Sequence, residues 1–389
     1  MKYYKLIIND PKSIKEVKND LDRRNKLNKA RKIEKIEGKS IIYTLFEESE
    51  PVPYNLPYDI YEYTVINDNL ESTIRHFYQK IDVGFKEDLV QYIPKKWIIY
   101  EPMILFNSET LDASIWDEEF KKYDKTLLFE AIAKYFKVSH IAINKPIVDD
   151  NVMRIPTNIN PIYGDFGPPV DLTLLTKPTK EDFDRAFWCS TVQNGIHQTW
   201  APRFTMFSRG NIKEKKRLLD TFKNLNKTWV FDLYAGIGYF TLSYLKNGGK
   251  VVCFELNPWS IEALKRNCIA NGFKFKIGED IIDDDTQVFI FNETNELALH
   301  RFQRSAPISH INLGLLPSSV QSWETTNKIL QLSTIPTYIH VHENVHIDEF
   351  NKFEGVLLDY FPCEFKDLVK VKTFAPDVWH IVVDLISLH

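Results

Sequence analysis

The chain has 389 residues, longer than one average domain, so more than one domain is expected. Its hydrophobic fraction of 44% can build true cores, and its net charge of −4 excludes a wholly basic nucleic-acid protein, so any contact with nucleic acid must use local charge. It contains no run of eighteen apolar residues, begins without an apolar leader and cleavage site, and scatters its four cysteines without a C-x-x-C pair. These features predict no membrane span, no secretory signal, no structural zinc and a reducing, cytoplasmic setting.

Residues 1–125 read as an N-terminal α+β region without a motif. Pro11 to Ser40 holds eleven Lys or Arg against five acids. This is either a solvated amphipathic segment or a patch for a nucleic-acid backbone. Pro51, Pro53 and Pro57 mark a loop, and Leu70 to Phe85 has helical spacing. Leu127 to Phe136 is amphipathic, with Leu128, Ile132 and Phe136 on one side. The strand-like Ile141 to Ile147 and a Pro-, Asn- and Gly-rich stretch, Ile155 to Pro169, follow. Residues 126–207 read as a small β-rich linking domain and residues 208–389 as the catalytic domain.

Asn194 to Arg217 starts extended and ends in a helix opening near Asn211, with Glu214 placed for a capping box. It carries Arg203, Arg209, Lys213, Lys215, Lys216 and Arg217. A basic helix start beside a ligand crevice can hold a carboxylate or phosphate; the alternative is a charged surface helix.

A short strand, Trp229 to Phe231, then runs into Asp232, a turn holding Ala235, Gly236 and Gly238, and a helix with Phe240, Leu242 and Leu245 as buried positions. Strand, glycine turn and helix form a nucleotide crevice at the carboxyl end of a parallel strand. Thr241 replaces the third glycine of the dinucleotide fingerprint, so no pyrophosphate cradle is implied. Seventeen residues after Gly238, Glu255 ends the strand Lys250 to Phe254, where a carboxylate can accept both hydroxyls of a ribose. The bland alternative is a solvated acid. The pairing resembles the S-adenosylmethionine site of class I methyltransferase-like enzymes.

Asn257 and Pro258 look like the cap and first position of a helix that buries Ile261, Leu264 and Cys268. Phe273 to Ile277 reads as a third strand, ending at Glu279 and Asp280 in either an adenine contact or a solvated loop. Val288 to Phe291 is a fourth strand with Asn292 at its ligand end, and Ile308 to Leu313 a fifth. Tyr338 to His342 is another. Leu368 to Phe374 and His380 to Leu388 form a terminal hairpin. The expected architecture is α/β, a mostly parallel sheet with an antiparallel edge. His340 and His342 share a face, but with no third ligand they suggest packed or surface histidines rather than a metal.

Residues 153–389 resemble the tRNA wybutosine-synthesizing protein 2 family and, more loosely, the tRNA (guanine-37-N1)-methyltransferases. The carrying stretches are Thr205 to Lys215, Asp232 to Leu242, Glu255 to Pro258, Asn312 to Ser319 and His340 to Asn344. The resemblance implies a class I S-adenosylmethionine-dependent, Rossmann-like, seven-stranded sheet. Where methyl-transferring relatives look like Asn-Pro-Pro, this chain has Asn312-Leu-Gly-Leu-Leu-Pro317, which resembles the aminocarboxypropyl branch. The implied reaction moves the 3-amino-3-carboxypropyl arm of S-adenosylmethionine to C7 of 4-demethylwyosine at position 37 of phenylalanine tRNA, releasing methylthioadenosine.

The resemblance also implies residue roles. Ser208 and Lys215 hold the methionine end of the co-substrate, Glu255 the ribose, and Glu279 and Asp280 lie by the adenine. Asp232, Gly236 and Gly238 shape the pocket, while Asn312 and Pro317 line the catalytic floor where the base enters. Neither a catalytic triad nor a metal is expected. An anticodon-loop base must be splayed out to react, and Trp200, Phe204, Phe207 and Tyr239 are candidates for stacking it, with the core as their alternative. Arg203, Arg209, Lys213 and Lys216 are the candidate phosphate contacts. No membrane and no obligate protein partner are expected. The rival readings are a tRNA methyltransferase and a non-catalytic tRNA-binding subunit.

Overall fold

Alternating inward and outward side chains build the first sheet from β1 (Lys2–Ile8), β2 (Glu34–Ile36), β3 (Lys39–Glu47) and β4 (Tyr58–Glu62), ordered β2-β3-β1-β4. Leu6, Ile8, Ile42 and Phe46 turn inward onto Val17 and Leu21 of the helix Ile14–Arg23. The computed structural model describes residues 2–29, 31–62, 69–144, 159–279 and 285–388. The chain divides into two compact units, residues 1–76 and 77–389. In the first, much of the basic run is an amphipathic helix and its flanks, with Arg24 on Asp20, Lys29 on Asp22 and Lys26 on Glu50.

In the second unit, β5 (Trp97–Tyr100), β6 (Met103–Asn107), β7 (His140–Asn144) and β8 (Ile159–Tyr163) form a sheet in that order, with strands on both sides of residue 125. The helix Lys125–Phe136 starts on an Asp124 cap that accepts from the Thr126 N–H at 2.9 Å, and it stops at Lys137 in the left-handed region. The hairpin β9 (Cys189–Gln193) and β10 (Ile196–Trp200) follows.

The large sheet contains β11 (Trp229–Asp232), β12 (Lys250–Phe254), β13 (Phe275–Ile277), β14 (Val288–Phe291), β15 (Ile308–Leu313), β16 (Tyr338–His346), β17 (Cys363–Ala375) and β18 (Val378–Ser387). Their order is β13-β14-β12-β11-β15-β16-β18-β17, parallel from β13 to β16 and antiparallel beyond. This is the Rossmann-like arrangement with its terminal hairpin, built from eight strands where the resemblance implied seven. β11, β12 and β14 are buried along their whole length, as parallel strands covered on both faces must be. Phe231, Phe254, Phe291 and Ile311 pack on one face, and Val230, Leu242, Val251 and Leu264 on the other. The sheet reverses its winding beside β11, so the crevice opens at the carboxyl ends of β11, β12 and β15.

Candidate active site

Asp232, at the end of β11, has no solvent exposure. Its Oδ2 accepts from the Thr241 N–H at 3.1 Å and the Thr241 hydroxyl at 2.7 Å, and its Oδ1 from the Asn312 amide at 3.0 Å. Burial raises its pKa, and these donors oppose the shift. One carboxylate thus fastens the ends of β11 and β15 to the helix Thr241–Lys246. Between them the chain turns through Gly236 and Gly238, both at positive φ (55° and 94°). Gly238 stands at a φ that residues with a Cβ rarely adopt, so glycine suits this turn where it packs beside Leu264 of the helix Pro258–Asn271.

The turn is fitted to Glu255. Its Oε2 accepts from the Gly236 N–H and its Oε1 from the Asn257 N–H, each at 2.8 Å. The Asn292 amide, at the end of β14, donates to the Glu255 and Leu256 carbonyls at 2.9 Å each. Burial raises the Glu255 pKa, against the pull of those backbone N–H groups. Glu255 lines the crevice, and a carboxylate oxygen that accepts one bond has capacity for another.

Above this turn lies a cavity of about 380 Å³, within the usual size for a small-molecule pocket. Glu255, Leu256 and Glu293 to Glu296 line one side; Gly236, Tyr239 and Phe240 lie centrally; Gly314 to Leu316, His342 and His380 close the other side. Met206, Ser208, Asn211, Tyr234 and Lys372 also line it. The Tyr239 hydroxyl donates to the Met206 carbonyl. Asn211 Oδ1, Tyr234 Oη and His342 Nε2 are buried at this lining without a hydrogen-bond partner. Glu255 and Glu296 stand against Lys372, while Glu293 is held by Arg301 at 2.6 and 2.8 Å; with several aromatic faces this lining suits a cationic guest such as a sulfonium. Among the described residues no group of three His, Cys, Asp or Glu could hold a metal ion, and all four cysteines are buried free thiols.

The predicted residues separate into three sets. Ser208, Gly236 and Glu255 line the cavity. Asp232, Gly238, Asn312, Pro317 and Lys215 do not. Asn312 has no exposure because its amide serves Asp232, so the floor itself is Gly314, Leu315 and Leu316. The Pro317 carbonyl accepts from the Asn344 N–H. Lys215 Nζ is buried and donates to Gln193 at 2.7 Å and Gln198 at 3.2 Å, below the rings of Phe207 and Tyr239. With no carboxylate beside it, burial lowers its pKa to about 8.

Other expectations are corrected. Glu279 is exposed, pairs with Lys276 and does not reach the cavity. The reason is topological: β14 lies between β13 and β12, so the residues after β14, Glu293 to Glu296, line that side. Asp280 and residues 153–158 lie outside the described residues. Arg203 spends its guanidinium on the Gly167 and Pro168 carbonyls, and burial lowers its pKa. Arg209 and Lys213 are exposed; Lys216 holds Asp220 at 2.6 Å. Trp200 stacks on Phe207 and Phe204 on Trp259, so these rings are structural, while Tyr239 faces the cavity. The capping box is absent, because the Glu214 carboxylate is engaged by Arg217.

His340 and His342 are buried rather than surface groups, and among the described residues neither belongs to a group that could hold a metal ion. Arg217 also holds Asp384, Asp384 takes His340 Nδ1 at 2.7 Å, and His340 Nε2 meets His310 Nδ1 at 2.9 Å. Separately, His342 Nδ1 meets His380 Nε2 at 3.0 Å on the cavity wall. Burial pushes the His310 and His342 pKa values well below the ordinary value. Glu343 is pushed up to about 7 by burial, although the Ser318 hydroxyl and Ser319 N–H oppose it. The signal for His380 and Asp384 was present: they stand four residues apart, on one face of a mostly apolar strand, and Asp384 is the register partner of His340.

The chain is 41% identical over 318 residues to tRNA wybutosine-synthesizing protein 2 of Schizosaccharomyces pombe, covering 75% of this chain and 72% of that one. It belongs to the tRNA wybutosine-synthesizing protein 2 family. The Saccharomyces cerevisiae protein of that name is 39% identical over 364 residues, covering 78% of this chain and 76% of its own. Residues 191–301 match the TRM5/TYW2 methyltransferase domain. Among solved structures, the fold is similar to Pyrococcus horikoshii TYW2 in complex with MeSAdo (TM-score 0.55, 21% identity, 80% of this chain and 98% of that one). It is also similar to aTrm5 in its complex with tRNALeu (TM-score 0.61, 16% identity, 99% of each chain). Within the tRNA wybutosine-synthesizing protein 2 family, the Asp232–Gly238 turn and Glu255 lie inside the matched domain, whereas His342, His380 and Asp384 lie after it.

Proposed function

We propose that this chain is the aminocarboxypropyltransferase of wybutosine synthesis. It transfers the 3-amino-3-carboxypropyl group of S-adenosylmethionine to C7 of 4-demethylwyosine in tRNA and releases methylthioadenosine. The base is position 37 in the anticodon loop of phenylalanine tRNA, and the cytoplasm is the site of action. Among the described residues no helix is long and apolar enough to cross a membrane. The observation that carries this reading is the Glu255 cradle, two backbone N–H groups fixing a carboxylate at the wall of a cavity with unpaired buried acceptors, in a member of this family.

Bound S-adenosylmethionine supplies a sulfonium that activates each attached carbon, so the outcome depends on which carbon the protein aims at the base. Orientation of this kind contributes about 7–11 kcal/mol. Glu255 holds the ribose hydroxyls, with Leu256 and Glu293 to Asn295 around the adenine. Ser208 and Asn211 take polar atoms of the amino-acid arm. Lys215 acts through Phe207 and Tyr239 rather than by contact, and Asp232 and Asn312 act by fixing the turn. Gly314 to Pro317 forms the wall beside which the base enters. Arg209 and Lys213 meet phosphates.

The test is mass spectrometry of nucleosides from precursor tRNA treated with the protein and S-adenosylmethionine. An added aminocarboxypropyl group with methylthioadenosine as by-product supports the reading. Methyl addition with S-adenosylhomocysteine as by-product, or no product, overturns it.

A further inference from the structure

We infer that His342 is the proton acceptor of the transfer reaction, taking the C7 hydrogen of the target base on Nε2. This rests on the reaction proposed above. Four observations carry it. His342 lines the same cavity as Glu255 and Gly236, and its Nε2 is a buried atom without a hydrogen-bond partner. Such an atom in a packed interior loses hydration without return unless a ligand supplies the missing bond.

Its place in the sheet is on the side where the base enters. The last paired residues of β15 and β16 are Leu313 and Val341, so His342 stands level with Gly314, where the turn Gly314 to Pro317 leaves the sheet. β11 and β15 separate β16 from β12. At about 4.8 Å per strand, β16 stands about 14 Å across the sheet from β12, the strand that delivers Glu255. The cavity carboxylates, Glu255, Glu293 and Glu296, belong to the co-substrate side; of the two histidines opposite, His380 gives its Nε2 to His342 Nδ1, which leaves His342 Nε2 as the base-side acceptor.

The ring is also held in position. His342 Nδ1 lies 3.0 Å from His380 Nε2, and the Phe240 ring packs against it at 4.8 Å between centroids. When Nδ1–H donates to His380, Nε2 carries the lone pair that the reaction uses. Burial, with His380 and His340 adding to it, keeps the imidazole neutral; Asp384 of β18 opposes this, while Arg217 of the helix Ile212–Thr221 reinforces it. Lys372 of β17, also on the cavity, adds positive charge to the same wall.

The step balances without another reactant. The C7 electron pair forms the bond to the γ-carbon of the arm, and the carbon–sulfur pair leaves with sulfur, which becomes a neutral thioether. The base is then cationic. Its C7–H pair returns to the ring, and the proton passes to His342 Nε2, with Nδ1–H sharing the charge with His380. A cationic ring is a strong carbon acid, so a weak neutral base is enough.

The experiment compares full-length wild type with His342→Gln and His342→Ala. It measures single-turnover transfer to precursor tRNA, calorimetric S-adenosylmethionine affinity, and the isotope effect from deuterium at C7. The expected result is a rate about 100-fold or more lower in both variants, the usual worth of a positioned base. Affinity stays within threefold, an isotope effect absent from wild type appears, and added imidazole partly restores His342→Ala. A variant rate within threefold of wild type overturns the inference. So does a rate loss matched by an equal loss of affinity with no isotope effect, which marks a structural role. If wild type itself yields no aminocarboxypropyl product, the proposed function falls and this inference with it; the other failures leave that function standing.

Discussion

The Gly236 N–H donates to Glu255 Oε2 at 2.8 Å, joining the glycine turn after β11 to the acid after β12. The acid is therefore aimed before any ligand arrives, and the turn in turn depends on the acid. Glu255→Ala removes the acceptor for a ribose diol and leaves the Gly236 and Asn257 N–H groups without their partner. Affinity for S-adenosylmethionine should fall at least about 100-fold, the worth of two bonds to a charged acceptor at about 1.5 kcal/mol or more each. Titration calorimetry measures this, and a change under threefold contradicts the placement of the ribose.

Arg217 joins Glu214 in its own helix to Asp384 in β18, and Asp384 carries His340. Arg217→Met leaves two carboxylates in the interior without their cation. A loss of about 3 kcal/mol is expected in urea unfolding, because removing one partner strands the other charge. If the midpoint hardly moves, the network is not a structural tie.

Acidity should weaken the fold through His310 and His342. Their pKa values are lowered in the folded state by burial. The unfolded chain then binds protons that the folded chain refuses. Stability is complete above the unfolded value, near 6.5, and is lost as pH falls below it, by about 1.4 kcal/mol per pH unit for each group. Asp384, whose pKa is held low by His340 and Arg217 against the raising effect of burial, adds a further loss only in stronger acid. Unfolding midpoints from pH 7 to 5 should show the histidine slope, and His342→Gln should roughly halve it.

The basic residues should separate by function. Arg209→Ala and Lys213→Ala each should lower the salt dependence of tRNA binding by about 0.7–0.9 in the log–log slope, one phosphate contact apiece. Arg203→Ala should leave that slope unchanged and lower the unfolding midpoint, since its guanidinium holds two loop carbonyls. Filter binding across a salt series distinguishes the two outcomes.

The strands of the parallel sheet were legible because apolar runs such as Val288 to Phe291 leave no alternative, and Asn257-Pro258 marked its helix through capping chemistry alone. Gly236 and Glu255 were legible as a strand-end turn and a strand-end acid because positive φ restricts residue type, while the hydrogen bond that joins them was not. The order of β13 and β14 was not, since a short strand carries nothing that names its neighbour. Glu279 was misplaced for that reason. The role of Asn312 was half-legible: its position at a strand end was right, but its partnership with Asp232 needed both strands in space. Arg217 and Asp384, 167 residues apart, meet only through packing.

The clamp of Asp232 on Thr241 and Asn312 has a bearing on how one scaffold could host different alkylations. Because the end of β15 is anchored one residue before Leu313, its hold on β11 does not depend on which side chains Gly314 to Leu316 carry. Variation in that loop is thereby separated from the contacts that hold the strand ends together.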